Sequence, residues 1–321
     1  MREKDIERFG DQARVLKGKR KGERLKDESR RKYTSNISNY YSWLQKEGFE
    51  DWFDVRPSDI GAFLTQREDQ GKSGSDIAAH KQSLKRFYDW LGQDYPDKDN
   101  PVKSHLETTT YDTNNSQRKK NGYGKGITQE EYQLMLENVA NRHKARDRLI
   151  LRFLGEMGLR RKEVSHLEIG DVDIENRRVD VPDVKSSARS IPFPRDMRSE
   201  LRRWLHGGER KAYKDAYTSN RLFVSQQAGT LSGQAINKIV KRTAEKVGIQ
   251  ETYKDANGHD QHRVRAHQLR HFFGQTEFDR DEMSLKALSE YMGHSSVDVT
   301  ADIYGDMDKD QVFDMLDKQF E

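Results

Sequence analysis

Five side chains able to act on a phosphodiester stand in this chain in a fixed order. Arg160 lies in Gly158-Leu159-Arg160-Arg161-Lys162-Glu163, and His267 and Arg270 lie in Arg265-Ala266-His267-Gln268-Leu269-Arg270-His271. His294 follows Gly293, and Tyr304 comes ten residues later. Arginine stays charged at any working pH, and its planar fork grips phosphate oxygens. Imidazole exchanges protons near neutrality. A phenol becomes a nucleophile once a neighbour takes its proton. Together such groups can bind a phosphodiester, move protons on its oxygens and attack its phosphorus.

Each piece alone has a plainer explanation. Arg160 and Glu163, three apart on one helix face, read as a surface ion pair, although a helix start after a Gly stop also favours anions. His-x-x-Arg is common by chance; here it puts an imidazole and a guanidinium on one face with Leu269 turned to the core. His259, His262, His267 and His271 invite a metal reading. No His-Glu-x-x-His pattern accompanies them, and Arg263, Arg265 and Arg270 would repel a cation, so neither metal nor cofactor is expected. His271 reads as a supporting or packing residue. Gly293 reads as a helix C-cap that leaves His294 exposed, and a tyrosine on an apolar helix is by default a core or rim residue.

The elements that must position these groups fall into segments. Residues 1–26 form a basic N-terminal segment; 13 Lys and Arg stand against 7 Asp and Glu over residues 1–32, and 2 against 6 over 305–321. Residues 27–104 read as a helical unit. Tyr33, Ile37, Tyr40, Tyr41 and Leu44 recur at helical spacing up to Gly48, a second helix opens at Pro57, a third follows Ser73-Gly74-Ser75, and Asn100-Pro101 ends the unit. Residues 105–126 are polar and apolar-poor, a linker whose Arg118, Lys119, Lys120 and Lys125 either keep it soluble or, in a DNA-binding protein, cross the phosphate backbone between two domains. Thr128-Gln129-Glu130-Glu131 is a capping box that opens the domain 127–321. Helices there run through Leu134–Val139 and Leu149–Met157. Arg177–Pro194 is the one clear strand region, a hairpin around Lys185-Ser186-Ser187-Ala188, after which helices are expected to run to the C-terminus.

Composition sets limits. At 321 residues two domains are the natural expectation. The net charge of +4 permits a nucleic-acid partner without establishing one. Cysteine is absent, which excludes disulfides, Cys-based zinc sites and thiol nucleophiles. No apolar run approaches a membrane span, so no membrane partner and a soluble, cytoplasmic protein are expected.

Read jointly, the motifs resemble those of the tyrosine site-specific recombinases, the phage-integrase and Xer-like family. That family shows G-x-R-x-x-E, a lysine on a β-hairpin, H-x-x-R, G-H and then the tyrosine. Arg160, Glu163, Lys185, His267, Arg270, His294 and Tyr304 match in order, and residues 27–104 resemble the family's helical core-binding domain. The resemblance implies a mainly α fold: an N-terminal helical, SAM-like core-binding domain and a mixed α+β catalytic domain with a small β-hairpin or sheet. It implies that Tyr304 attacks the scissile phosphate to give a 3′-phosphotyrosyl link without metal. Arg160, Arg270 and His294 would contact non-bridging oxygens, Lys185 would protonate the leaving 5′-oxygen, and His267 would act as base with Glu163 and His271 in support. Arg189, the alternative candidate in the hairpin, does not deprotonate usefully and cannot be that acid. Arg265 joins the linker residues as a DNA contact.

The implied partner is double-stranded DNA, bound by a homotetramer on two duplexes that is monomeric or dimeric when free. The function expected is integration and excision of a viral or mobile element. The alternatives are Xer-like resolution of chromosome or plasmid dimers and, third, a non-catalytic DNA-binding regulator. Val312, Phe313, Leu316 and Phe320 form an apolar stripe that must dock, on its own domain or, as the resemblance implies, on a neighbouring protomer.

Overall fold

The computed structural model describes residues 3–12, 27–109, 126–140, 143–183, 188–254, 260–280 and 284–293. The chain divides into two compact units, Met1–Tyr123 with Lys254–Asp260, and Gly124–Tyr253 with Gln261–Glu321. Among the described residues no helix is long and apolar enough to cross a membrane.

Among the described residues the first unit is a bundle of helices: α1 (Glu3–Gln12), α2 (Asp27–Lys46), α3 (Pro57–Asp69), α4 (Gly74–Asp94) and α5 (Pro101–Thr108). Local signals set most boundaries. Pro57 occupies the first turn of α3, where its missing N–H costs nothing, and the Ser73 hydroxyl accepts from the Asp76 amide to cap α4. The core is aromatic, with Tyr40, Trp52, Phe63, Phe87, Tyr88 and Trp90 buried and edge-to-face rings such as Trp52–Phe87 at 4.8 Å. Two polar pairs sit inside it, Tyr40 with Tyr88 (3.2 Å) and Asn36 donating to Ser83 (2.9 Å).

Two features depart from the sequence reading. Residues 3–12, read as part of a basic segment, form a helix whose Ile6 and Phe9 join the core; Phe9 meets Phe87 edge-on at 5.4 Å. Two apolar residues in a highly charged stretch give a weak periodic signal, and packing supplies what propensity does not. Asn100-Pro101 begins a helix rather than ending the unit: the Asn100 side chain accepts from the Val102 and Lys103 amides, and Val102 is buried.

The second unit is built around α7 (Lys144–Gly155), which is buried on nearly every side. Around it stand α6 (Gln129–Glu137), α8 (Arg161–His166), α9 (Met197–Leu205), α10 (Gly233–Lys246) and α11 (Ala266–Asp279), with α12 (Leu285–Met292) against α11. Thr128 and Glu131 form the expected capping box. Arg152, on the buried helix, is neutralised by Glu156, Asp196 and Glu200.

An antiparallel sheet β1 (Val172–Asp173), β2 (Arg178–Val181) and β3 (Arg189–Pro192) pairs Val179 with Ile191 and Val181 with Arg189. The expected hairpin therefore carries a third strand. A separate two-stranded sheet, β4 (Thr252–Lys254) with β5 (Asp260–His262), lies in a region expected to be helical. Residues between α9 and α10 are likewise turns and a short 3-10 helix rather than helix; buried Arg210 holds them by donating to the carbonyls of Ala216, Ser219 and Arg221. Gly207-Gly208 and the lack of a 3.6-residue apolar period disfavour a helix there.

Candidate active site

Gly158 ends the turn after α7 with φ of +62°, the left-handed conformation glycine adopts without strain. Its backbone runs so close to Phe273 that an added Cβ would lie 2.4 Å from the ring. Two residues on, Arg160 is the N-cap of α8. Arginine has no acceptor with which to cap, so only the reverse half of a capping box forms: Glu163 accepts from the Arg160 amide at 2.8 Å. The guanidinium is thereby free to turn to other partners. Nη1 donates to Glu163 Oε1 and to the Met292 carbonyl, both at 3.1 Å, and Nη2 donates to the Gly293 carbonyl at 2.8 Å.

Arg270, on α11, is 2% exposed. It donates to the Gly158 carbonyl at 2.5 Å and to the Met292 carbonyl at 2.6 Å, while Leu269 beside it points into the core. The structure thus brings Arg160 and Arg270 onto one acceptor, at the end of α12. That end carries the negative pole of the helix and its unpaired carbonyls, so cations are favoured there. Gly293, with φ of +66°, is the left-handed C-cap, and His294 follows it in the chain.

His267 and His271 occupy successive turns of α11 with ring centroids 4.3 Å apart. His267 keeps an exposed edge. Even so, partial burial, and after it His271 and the guanidiniums of Arg270, Arg265 and Arg160, push its imidazole down to about 3. Burial, then Arg270, lowers His271 as well. Both rings are neutral at pH 7, as a proton acceptor must be. Arg265 is the N-cap of α11 and donates to Gln261 at 3.1 Å, while the Ala266 amide is tied to Asn237 of α10 at 3.0 Å.

Glu163 is fully buried and is the hub of the site. Besides Arg160 it takes a forked pair from Arg189, Nη1 to Oε1 at 3.1 Å and Nη2 to Oε2 at 3.2 Å. Arg189 Nε donates to the Tyr291 carbonyl at 2.6 Å. Two guanidiniums share this one carboxylate, and Arg270 adds a third positive charge at the Met292 carbonyl, a surplus that suits the site to an anion.

Sequence reasoning weighed Arg189 only as a proton donor and missed this role. The signal was present: Ile191 and Phe193 face inward, and a period of two puts Arg189 on the same face, where an arginine needs a carboxylate. Of the remaining residues singled out in the sequence, Lys185, His294, Tyr304, Arg118, Lys119, Lys120 and Lys125 lie outside the described residues, as do His259 and the stripe at 312–320. Among the described residues no group of three His, Asp or Glu side chains is placed to hold a metal ion.

Comparison with known proteins identifies the family. Residues 125–311 match the phage integrase family, and residues 21–94 match the phage integrase N-terminal SAM-like domain. The chain is 28% identical over 288 residues to tyrosine recombinase XerC of Actinobacillus succinogenes, covering 89% of this chain and 88% of that one. It is 26% identical over 317 residues to tyrosine recombinase XerD of Oceanobacillus iheyensis, covering 98% and 97%.

In fold it resembles the XerH site-specific recombinase bound to a palindromic difH substrate, with a TM-score of 0.70 and 20% identity over 91% of this chain and 80% of that one. It also resembles the Tn1549 transposon integrase in complex with transposon right end DNA, with a TM-score of 0.67 and 21% identity over 99% of each chain. With more than half its length matched to the family, and an N-terminal helical unit of the family's kind, the chain belongs to the phage integrase family of tyrosine recombinases.

Proposed function

We propose that this chain cuts and rejoins duplex DNA at specific sites through a covalent link to Tyr304. The observation that carries the reading is the convergence of Arg160 and Arg270 on the Met292 carbonyl, beside neutral His267 and one residue short of His294. A phosphodiester entering here meets guanidiniums that offset the charge its oxygens gain in the transition state. His267 takes the phenolic proton as Tyr304 Oη bonds to phosphorus. The bond from phosphorus to the 5′-oxygen breaks, and Lys185 gives that oxygen its proton. The 3′-phosphotyrosyl link conserves the bond energy, so a 5′-hydroxyl from another strand reverses the step without ATP. The guanidiniums supply the countercharge, so cleavage is expected to persist in EDTA.

The partner in this reading is double-stranded DNA, gripped by both units. Arg265, Arg118, Lys119, Lys120 and Lys125 contact phosphates. The active assembly is a tetramer on two duplexes, in the cytoplasm and on the nucleoid. Integration and excision of a mobile element is the primary assignment. Resolution of chromosome or plasmid dimers is the second, favoured by the Xer recombinases that align along nearly the whole chain.

The decisive experiment uses a nicked duplex bearing a site selected by the protein from random-sequence DNA. The nick lets the short downstream fragment bearing the freed 5′-hydroxyl escape and traps the adduct. The unsubstituted chain should form a covalent complex, and Tyr304→Phe should bind the site equally but form none. An adduct surviving that substitution would move the nucleophile elsewhere. Conversion of plasmid dimers carrying two such sites into monomers in cells would favour the resolvase assignment.

A further inference from the structure

We infer that Arg189 is a positioning residue for strand cleavage, acting through Glu163 on Arg160 and through the Tyr291 carbonyl on the end of α12. The inference rests on the cleavage reading above. The Glu163 carboxylate is wholly buried, and among the described residues each of its oxygens serves at least two donors. Oε1 accepts from Arg160 Nη1 and Arg189 Nη1; Oε2 accepts from the Arg160 amide and Arg189 Nη2. A lone carboxylate beside Arg160 would be free to rotate and take that guanidinium in a two-pronged grip, the geometry such pairs prefer. The fork from Arg189 occupies both oxygens from the other side. Arg160 then keeps a single side-chain bond to Glu163, and its remaining donors turn toward the Met292 and Gly293 carbonyls.

The third donor of Arg189 extends the effect. Nε holds the Tyr291 carbonyl at 2.6 Å, so one planar group fixes both α8 and the last turn of α12. His294 follows that turn by one residue beyond Gly293. Arg189 also opens β3, held to β2 by the pairing with Val181, and lies four residues after Lys185. One side chain therefore ties together the three segments that bear or precede the proposed machinery. Its own side chain is 12% exposed, which suits support from behind rather than contact with DNA.

Lysine keeps the charge but concentrates it at one point, and it cannot reproduce a planar fork with a third donor at its side. Glutamine removes the charge and most of the donors. The test is single-turnover cleavage of the nicked site by the full-length protein at saturating concentration, for Arg189→Lys and Arg189→Gln. A parallel substrate carries a methylphosphonate at the scissile position, which has one negative charge fewer and needs less help from Arg160. On the phosphate, cleavage should slow about 10-fold for Arg189→Lys and about 100-fold for Arg189→Gln, with site binding within about 3-fold. On the methylphosphonate both deficits should shrink several-fold.

Wild-type speed in Arg189→Lys would show that only charge counts and would overturn the positioning role. Equal deficits on the two substrates would also overturn it, leaving Arg189 a purely structural residue. If Arg189→Gln melts early, the lysine variant carries the comparison. No adduct with the unsubstituted protein would fell the cleavage reading itself, whereas an active protein with indifferent Arg189 variants would fell this inference alone.

Discussion

Arg160 and Arg270 share the Met292 carbonyl, but their side chains differ in exposure, 23% for Arg160 and nearly none for Arg270. That difference separates two effects of substitution. Arg160→Ala and Arg270→Ala should each slow cleavage by about 10²–10³-fold, the usual loss when a donor to a developing oxyanion is removed, equivalent to roughly 3–4 kcal/mol. Arg270→Ala should in addition strip the buried Gly158 and Met292 carbonyls of a donor, at about 1–3 kcal/mol of stability. Single-turnover rates and urea midpoints on the same variants resolve the two; an Arg270→Ala variant of unchanged stability would contradict the buried contacts. His267 offers a second check. With burial and cationic neighbours holding its imidazole down to about 3, its ring resonances in the free protein should not titrate between pH 8 and 5. A bound phosphodiester should raise the midpoint, because negative charge favours imidazolium. An NMR titration centred near 6.5 in the free protein would remove the basis for a neutral His267.

Among the elements, the turn between α7 and α8 sets where Arg160 stands. Gly158→Ala should be poorly tolerated for two reasons. An L-residue at φ of +62° costs about 1–2 kcal/mol, and the new methyl would have to displace the Phe273 ring. A lowered melting temperature of the second unit with slowed cleavage is the expected result. In the first unit, α1 is expected to be an integral helix rather than a basic arm. Phe9→Ala removes a fully buried ring packed between Phe87 and Trp90 and should cost about 3–5 kcal/mol. A urea midpoint unmoved by that change would return residues 3–12 to the status of a tail.

For the whole molecule, four histidines in the two units point the same way. Burial is the leading cause in each case, and it pushes His80, His105, His267 and His271 below the ordinary imidazole value. Below about pH 6.5 the unfolded chain then binds protons that the folded chain resists. Their contribution to stability is complete above that pH and is lost as the pH falls beneath it. Urea midpoints should therefore be lower at pH 5.5 than at 7.5; the opposite order would show that folding favours the charged rings. At the scale of the assembly, deletion of residues 309–321 should spare binding to a half-site and weaken cooperative filling of a full site. Val312, Phe313, Leu316 and Phe320 recur in the sequence at helical spacing, an apolar stripe that so short a segment would not bury by itself. Gel-shift titration of half and full sites reads the outcome, and unchanged cooperativity would favour docking of the stripe on its own protomer.

The sequence by itself determined what depends on near neighbours along the chain. Caps at Ser73 and Thr128, the stop at Gly158 and the C-cap at Gly293 are local, because helix ends are satisfied within one turn. The order of Arg160, His267, Arg270, His294 and Tyr304 was legible as well, and with it the family. The absence of cysteine closed thiol chemistry from the outset. Tertiary structure alone decided the rest. The partners of Arg189 lie 26 and 102 positions away, at Glu163 and Tyr291, and no local pattern encodes such a pairing. The third strand and the β4–β5 sheet depend on cross-strand neighbours, so their short and weakly alternating segments carried little signal. Helix α1 was hidden for a related reason. Its few apolar residues gain their weight only against Phe87 and Trp90, far along the chain, where burial rather than propensity holds a short helix in place.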